Sequence, residues 1–405
     1  MLKLVTFGHL YPDATRPTFG VFVETRLRRL LAEGGVASRV VSPAPWFPGC
    51  GLLGLMDRWP TPPARETRFG VEIERPRWLT IPRVGMRLQP SLMAAAARPT
   101  LRRLRAEGYA FDLIDAQYFY PDGVAAMRLA REFGVPFTVT ARGTDLNLVP
   151  NDPWAKARIV EAAHASAANI CVAKALKDVL DGFGVPPDKT VVLRNGVDLE
   201  LFRPLDPATE RARLGFRRPT LLSVGHLVER KGHHVLIEAL PRLPDFDAAI
   251  VGSGVEEARL RALAARLGVA DRVRFAGRVV QNDLAAWYSA AAALVLASDR
   301  EGWANVLLEA MACGTPCVAT AIWGTPEVVA APEAGKLFRE RTPAALAAAV
   351  RDLFAAPPDR AATRRYAEGF SWDATAKGLK ALFADVVAGR ARPAAARAAA
   401  PVTGS

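Results

Sequence analysis

Short apolar runs and amphipathic stretches alternate along this chain, and the alternation occurs twice. Runs at 2–8 (LKLVTFG), 38–42, 111–117, 136–141, 169–173 and 190–195 read as strands. Between them lie helical patterns such as ETRLRRLLAEGG, closed by the double glycine at 34–35, and GVAAMRLAREFG at 123–134. The rhythm then restarts with strands at 219–225, 247–252, 272–277, 292–298 and 316–320. HHVLIEAL, EEARLRALAARLG, LAAWYSAA and NVLLEAMAC separate these as helices. Strand–helix alternation of this kind predicts parallel sheets covered by helices on both faces. Proline and aspartate break the periodicity in NGVDLELFRPLDP at 195–207, so the boundary between two α/β halves belongs there.

The length of 405 residues accommodates two such domains, expected over 1–195 and 196–366. A last helix is expected over 367–388, and the low-complexity basic tail at 389–405 lacks an apolar face and is expected to be disordered. Half of the residues are apolar and 23% charged, which excludes a fibrous or mostly disordered chain. No run approaches the roughly 18 apolar residues of a membrane span, and the first ten residues lead directly into a strand pattern. The expectation is a cytoplasmic protein, peripheral on the membrane at most. Cysteines at 50, 171, 313 and 317 are too scattered for a disulfide framework and are expected to be reduced.

The net charge of +12 points to an anionic partner without naming it. Residues 1–195 hold 26 lysines and arginines against 18 acids, so most of the excess lies in the first half. From Arg75 to Arg105 there are eight arginines and no acid, interleaved with Trp78, Met86, Leu88, Leu92 and Met93. Two readings fit: a basic amphipathic surface lying on anionic lipid, or a solvated helix face. No nucleic-acid motif accompanies the charge, and no nucleic-acid partner is expected.

Candidate chemistry concentrates in the second half. SVGHLVERKGHHVLIEAL at 223–240 places Gly225 and the Lys231-Gly232 pair at the carboxyl end of a buried strand, where backbone amides and an ammonium suit phosphate. In SDREGWANVLLEAMACGTPCVAT at 298–320, Glu301 is expected in a loop and Glu309 about two turns inside the following helix. That spacing, roughly 12 Å along the axis, is too long for an acid and base on one bond. Each carboxylate should meet a different part of one extended ligand, with the amides of Trp303, Ala304 and Asn305 between them.

These two segments resemble the nucleotide-sugar half of the retaining glycosyltransferases of the GT-B fold, family 4. The resemblance extends over VGSG at 251–254, FAGRV at 275–279, GTPEVV at 324–329, NGVDLELF at 195–202 and FSW at 370–372, which in that fold opens a helix returning to the first domain. RPTFGVFVETRLRRL at 16–30, YFYPDGVAA at 118–126 and TARGTDLN at 140–147 resemble the branch that builds cell-surface polysaccharides of the teichuronic-acid type. The resemblance implies two Rossmann-like domains facing across a central cleft, and transfer of a sugar from a nucleotide-diphosphate donor to a hydroxyl of a glycan or lipid-linked acceptor. It implies retention at the anomeric carbon, no metal and no cofactor.

By residue, the resemblance assigns Lys231 to the donor diphosphate, Glu301 to the sugar hydroxyls and Glu309 to the ribose, with Glu301 and Lys231 carrying catalysis. It assigns Gly302, Trp303, Ala304 and Asn305 to sugar and phosphate, Gly277, Arg278 and Val279 to the base, and Gly20 to the diphosphate from the first domain. Two positions depart from the family. His226 stands where an arginine usually binds phosphate, and Arg142 stands where an acceptor-side histidine is usual. His9, Arg142 and Asp145 are the acceptor-side candidates.

Other constellations have plainer readings. Asp245 and Asp247 form a D-x-D, but beside Pro244 they read as a turn. Cys313 and Cys317 read as core, His233 and His234 as capping or ligand contacts, and His164 as structural. Two rival functions remain: a nucleotide-sugar epimerase of the same architecture, and a basic non-enzymatic scaffold.

Overall fold

The computed structural model describes residues 1–47, 62–80 and 85–390. Cys50, Arg83 and the tail from residue 391 lie outside the described residues. The chain forms two compact units: Met1–Arg194 with the residues from Asp373 onward, and Asn195–Trp372. Among the described residues no helix is long and apolar enough to cross a membrane.

The first unit contains strands β1 (Leu2–Phe7), β2 (Val36–Val41), β3 (Ala44–Trp46), β4 (Arg65–Arg68), β5 (Val71–Glu74), β6 (Arg77–Leu79), β7 (Leu113–Ala116), β8 (Phe137–Ala141), β9 (Ala168–Cys171) and β10 (Thr190–Val192). Eight of them form one sheet in the order β10-β9-β8-β7-β1-β2-β5-β4, while β3 and β6 pair separately. All pairings in the large sheet are parallel except β4 with β5. The apolar runs become its central strands because both faces are covered: Leu4, Val5 and Phe7 are fully buried, as are Leu113 and Ile114. The β4–β5 hairpin has no such run. Its strands, RETR and VEIE, carry charge at the sheet edge, and the connecting Phe69 and Gly70 both have positive φ, 49° and 76°.

The second unit contains β11 (Thr220–Val224), β12 (Asp247–Val251), β13 (Val273–Gly277), β14 (Ala293–Leu296), β15 (Cys317–Thr320) and β16 (Gly335–Phe338), ordered β13-β12-β11-β14-β15-β16. Every pairing is parallel. The short edge strand β16, GKLF, has too little apolar sequence to announce itself. In both sheets the chain steps outward from a central strand and resumes on its other side, so the order reverses between β1 and β7 and between β11 and β14. Loops leaving the carboxyl ends of those neighbours diverge, and ligands of such folds bind in the crevice they leave.

The helix Trp372–Val387 begins at the last residue of the second unit, and its remaining turns belong to the first. Leu379, Leu382 and Phe383 are buried in the same cluster as Leu4, Val23, Leu27 and Ile170. Lys380 Nζ donates to the carbonyl of Glu33 at 2.9 Å, at the end of the first helix, Val21–Ala32.

The basic stretch finds its acids elsewhere in the chain. Buried Arg75 donates to Pro12 O at 2.7 Å and Glu66 Oε1 at 2.8 Å. Arg98 and Arg102, on the helix Gln89–Ala106, share Glu132 at 2.7 and 2.8 Å. Arg103 pairs with Glu107 and Glu74, and Arg105 donates to Phe133 O at 2.7 Å while lying over Phe111 and Phe133. Arg98, Arg102, Arg103 and Arg105 thus all have partners within the chain. Asp245 sits in the turn before β12, and Asp247 faces Arg218 and Arg272. Cys171, Cys313 and Cys317 are buried free thiols, and burial pushes the Cys313 thiol up to about 12.

Because Phe383 is fully buried in the first unit's core, Phe383→Ala should lower the unfolding free energy by about 3–5 kcal/mol. Denaturant titration followed by circular dichroism measures the loss, and one below about 1 kcal/mol would show that this helix is not part of that core.

Candidate active site

In the second unit, the loop after β11 is shaped by glycine. Gly232 has φ 72°, and a Cβ there would stand 1.9 Å from Ala297 O, so only glycine lets the loop close against the end of β14. Gly252 is equally constrained, since a Cβ would lie 1.8 Å from Gly225 O. Asp299 N donates to Arg230 O at 2.9 Å and locks the two loops in register.

This closure delivers Lys231 to Glu301. The Lys231 ammonium donates to Glu301 Oε1 at 2.5 Å, and Ser298 Oγ donates to the same oxygen at 2.7 Å. The two charged side chains are only 14% and 9% exposed, so each compensates the other's desolvation. Among the described residues Glu301 Oε2 and two of the three ammonium hydrogens have no protein partner. The two candidates singled out in the sequence are thus one ion pair, lying at the β11/β14 reversal.

The helix Asn305–Ala312 starts four residues after Glu301, behind the buried, non-helical Gly302, Trp303 and Ala304. Glu309 is therefore one turn inside the helix, not two, and the axial spacing expected from sequence does not apply. No side chain caps this N-terminus, although Asn195 Nδ2 donates to Asn305 Oδ1 at 3.3 Å. Glu309 Oε2 accepts from the hydroxyl of fully buried Tyr288 at 2.8 Å. Burial pushes the Glu309 carboxyl up to about 7 against the opposing pull of that hydrogen bond.

His226 follows β11 and Arg278 follows β13, with β12 between the two strands. Arg278 Nη2 donates to Ser253 Oγ at 3.3 Å, and Leu227 N donates to Ser253 O at 3.0 Å. Desolvation, with Lys231, Arg230 and Arg278 nearby, holds the His226 imidazole below the ordinary histidine range. Gly277 has φ 68° with open space where a Cβ would be, and Val279 is half-buried beyond it. His233 is structural: its Nδ1 meets Ser223 Oγ at 2.9 Å and its Nε2 meets His226 O at 3.2 Å. Burial drives its pKa to about 4, so the ring is neutral.

In the first unit, His9 follows β1. Its backbone N–H donates to Asp122 Oδ1 at 2.6 Å and its Nδ1 meets Asp122 Oδ2 at 2.7 Å, with Asp122 fully buried. Gly20, φ 72°, precedes the helix Val21–Ala32, and a Cβ would stand 2.6 Å from the Leu10 carbonyl carbon. Arg142 is buried, donates to Gln117 Oε1 and lies over Phe22, 5.3 Å from its centroid. Burial, then neighbouring Arg26, depresses its proton affinity. Asp145 accepts the backbone N–H groups of Phe119, Arg142 and Gly143 at 3.1, 3.0 and 2.8 Å. Its carboxylate thus clasps the amides of two loops.

Sequence reasoning missed Tyr288, Asp122 and Asn195. Tyr288 read as one residue of an apolar helix, and Asp122 only as part of the segment YFYPDGVAA. Among the described residues no group of three or more His, Cys, Asp or Glu is arranged to hold a metal ion.

Residues 208–370 match the family described as glycosyl transferases group 1, and residues 25–201 match glycosyltransferase family 4. The D-inositol 3-phosphate glycosyltransferase of Frankia alni is 37% identical over 309 residues, spanning 68% of this chain and 75% of the relative. The chain belongs to glycosyltransferase family 4. A second relative of this glycosyltransferase, the D-inositol 3-phosphate glycosyltransferase of Streptomyces coelicolor, is 32% identical over 66% of this chain and 67% of its own length. Among solved structures, sucrose-phosphate synthase from Thermosynechococcus elongatus superposes with a TM-score of 0.80 at 24% identity, covering 96% of this chain and 99% of that one. Anabaena HepE in complex with UDP and glucose gives 0.71 at 20% identity, covering 94% and 98%. These likenesses show the fold, GT-B with two Rossmann-like domains.

The raised Glu309 pKa has a consequence for stability. The folded state binds a proton between the ordinary carboxylate value of 4.5 and about 7 that the unfolded state has released, so stability falls as pH rises through this window. Glu309→Gln should remove this fall, and the mutant's melting temperature should gain on the wild type between pH 5 and pH 8. A constant difference across that range would show that Glu309 does not titrate there.

Proposed function

We propose that this glycosyltransferase moves a glycosyl group from a nucleoside-diphosphate sugar to an acceptor hydroxyl, with retention at the anomeric carbon and without a metal. The observation that carries this reading is the Lys231–Glu301 pair at the β11/β14 reversal, poised with unused hydrogen-bonding capacity on both partners. Lys231 would stabilise the departing diphosphate as the anomeric carbon–oxygen bond breaks, together with the uncapped amides at Ala304 and Asn305. Glu301 Oε2 would hold the sugar hydroxyls. Glu309, steadied by Tyr288, would accept from the ribose hydroxyls. His226, Gly277, Arg278 and Val279 would border the base and phosphates, with Gly302 and Trp303 lining the sugar.

The names of the two relatives favour a phosphorylated cyclitol hydroxyl as acceptor over a growing polysaccharide or a lipid-linked glycan. Their naming also supports transfer over epimerisation. A scaffold without activity would show no saturable affinity for nucleotide sugars.

A panel of UDP-, GDP- and ADP-sugars, scored by thermal shift and then by transfer to D-inositol 3-phosphate in the presence of EDTA, tests the reading. With the donor so found, Glu301→Gln should lower kcat by about 100- to 1,000-fold while nucleoside-diphosphate affinity survives. Glu309→Gln should instead weaken nucleotide binding. Equal losses of diphosphate affinity in the two variants would contradict this division, and abolition of turnover by EDTA would contradict metal independence.

A further inference from the structure

A polar cavity of about 380 Å³ opens within the second unit at the amino ends of β11, β12 and β13. β11 is five residues long, so roughly 16 Å of strand separates this cavity from the loop that carries Lys231. Phe216, Arg217, Asp247, Asp271, Arg272 and Arg274 line it, and Arg217 belongs to the turn joining the helix Pro207–Leu214 to β11. Asp247 is already paired, with Arg218 at 3.4 Å, whereas Arg217 and Asp271 have no partner among the described residues. Arg272 commits Nη2 to the carbonyls of Leu243 and Phe246, and Arg274 commits Nη1 to that of Leu214. Their other terminal nitrogens have no hydrogen-bond acceptor among the described residues. The Arg274 guanidinium lies over Trp287 and Phe216, 5.2 and 6.0 Å from their centroids, which holds it at the rim. Arg217, Arg218, Arg272 and Arg274 outnumber Asp247 and Asp271, so the cavity and its rim carry a net charge of +2.

We propose that this cavity binds the phosphate monoester of a small polyol, at a site separate from Lys231 and Glu301 and independent of the transfer reaction proposed above. A phosphate monoester is close to a dianion at neutral pH, which matches the excess charge of the cavity. Arg217 supplies a free guanidinium whose planar fork suits two phosphate oxygens, and the open nitrogens of Arg272 and Arg274 add donors from the strand ends. The Asp271 carboxylate can only accept, so it favours a hydroxyl and opposes a bare anion. A hydroxylated ester therefore fits the site better than inorganic phosphate does. Phe216 already meets Trp287 at 5.7 Å and Arg274 at 6.0 Å, which favours a polyol over a base needing an open ring face. The volume falls at the lower end of the about 300–1,000 Å³ usual for small-molecule pockets and accommodates one sugar-sized ring.

Isothermal titration of the full chain with glucose 6-phosphate, inorganic phosphate and glucose tests the site without any sugar donor. Glucose 6-phosphate should bind, inorganic phosphate should bind more weakly and glucose should not bind, and both anions should weaken as salt rises. Arg217→Gln changes an exposed side chain that has no partner among the described residues, so the melting temperature should hold. The same change should weaken glucose 6-phosphate by about tenfold or more. Asp271→Asn should weaken glucose 6-phosphate and tighten inorganic phosphate, whereas a carboxylate acting only as surface charge would have its removal tighten both. Lys231→Met, at the other end of the sheet, should leave glucose 6-phosphate affinity within about twofold of wild type. Absence of binding at millimolar glucose 6-phosphate would overturn the proposal. So would an affinity that survives Arg217→Gln, one that collapses in Lys231→Met, or tightening of both anions by Asp271→Asn.

Discussion

The active site depends on one close approach of backbone to backbone. At Gly232 the loop after β11 comes so near Ala297 O that a single added carbon would overlap it. Without that approach Lys231 could not reach Glu301, and two charges with little exposure would each be left unpaired, a loss of several kcal/mol. The neighbouring contacts, Asp299 with Arg230 and Gly252 against Gly225, extend the same constraint along the edge of the sheet.

Each unit places one pair of ionisable side chains at its strand-order reversal: Lys231 with Glu301 in the second, His9 with Asp122 in the first. In both pairs one member is fixed by additional hydrogen bonds, Glu301 by Ser298 and Asp122 by the His9 backbone, while its partner keeps open valences. Preorganisation of this kind lets a site meet developing charge without first rearranging its dipoles. Glu309 is held differently, by the Tyr288 hydroxyl, while burial raises its pKa to about 7.

The central strands were legible from sequence because strands buried on both faces are uninterrupted apolar runs, as in LKLVTF and TLLSV. Lys231, Glu301 and Glu309 were legible through their spacing and through family resemblance. The β4–β5 hairpin was not, because edge strands carry charge, and neither was β16, which is four residues long. The helix NVLLEAMAC was legible from its start at Asn305, but Glu309 lies one turn inside it and not two. The pairing of Arg98 and Arg102 with Glu132, and of His9 with Asp122, joins positions 30 to 113 residues apart, a separation that local patterns do not encode.

The central claim is that Lys231 and Glu301 act as one buried unit. A double-mutant cycle on unfolding free energy, using Lys231→Met, Glu301→Gln and the double variant, measures this most directly. The account predicts that each single change destabilises and that the double variant costs less than the sum, with a coupling of about 1–3 kcal/mol. Additivity to within about 0.5 kcal/mol would contradict it.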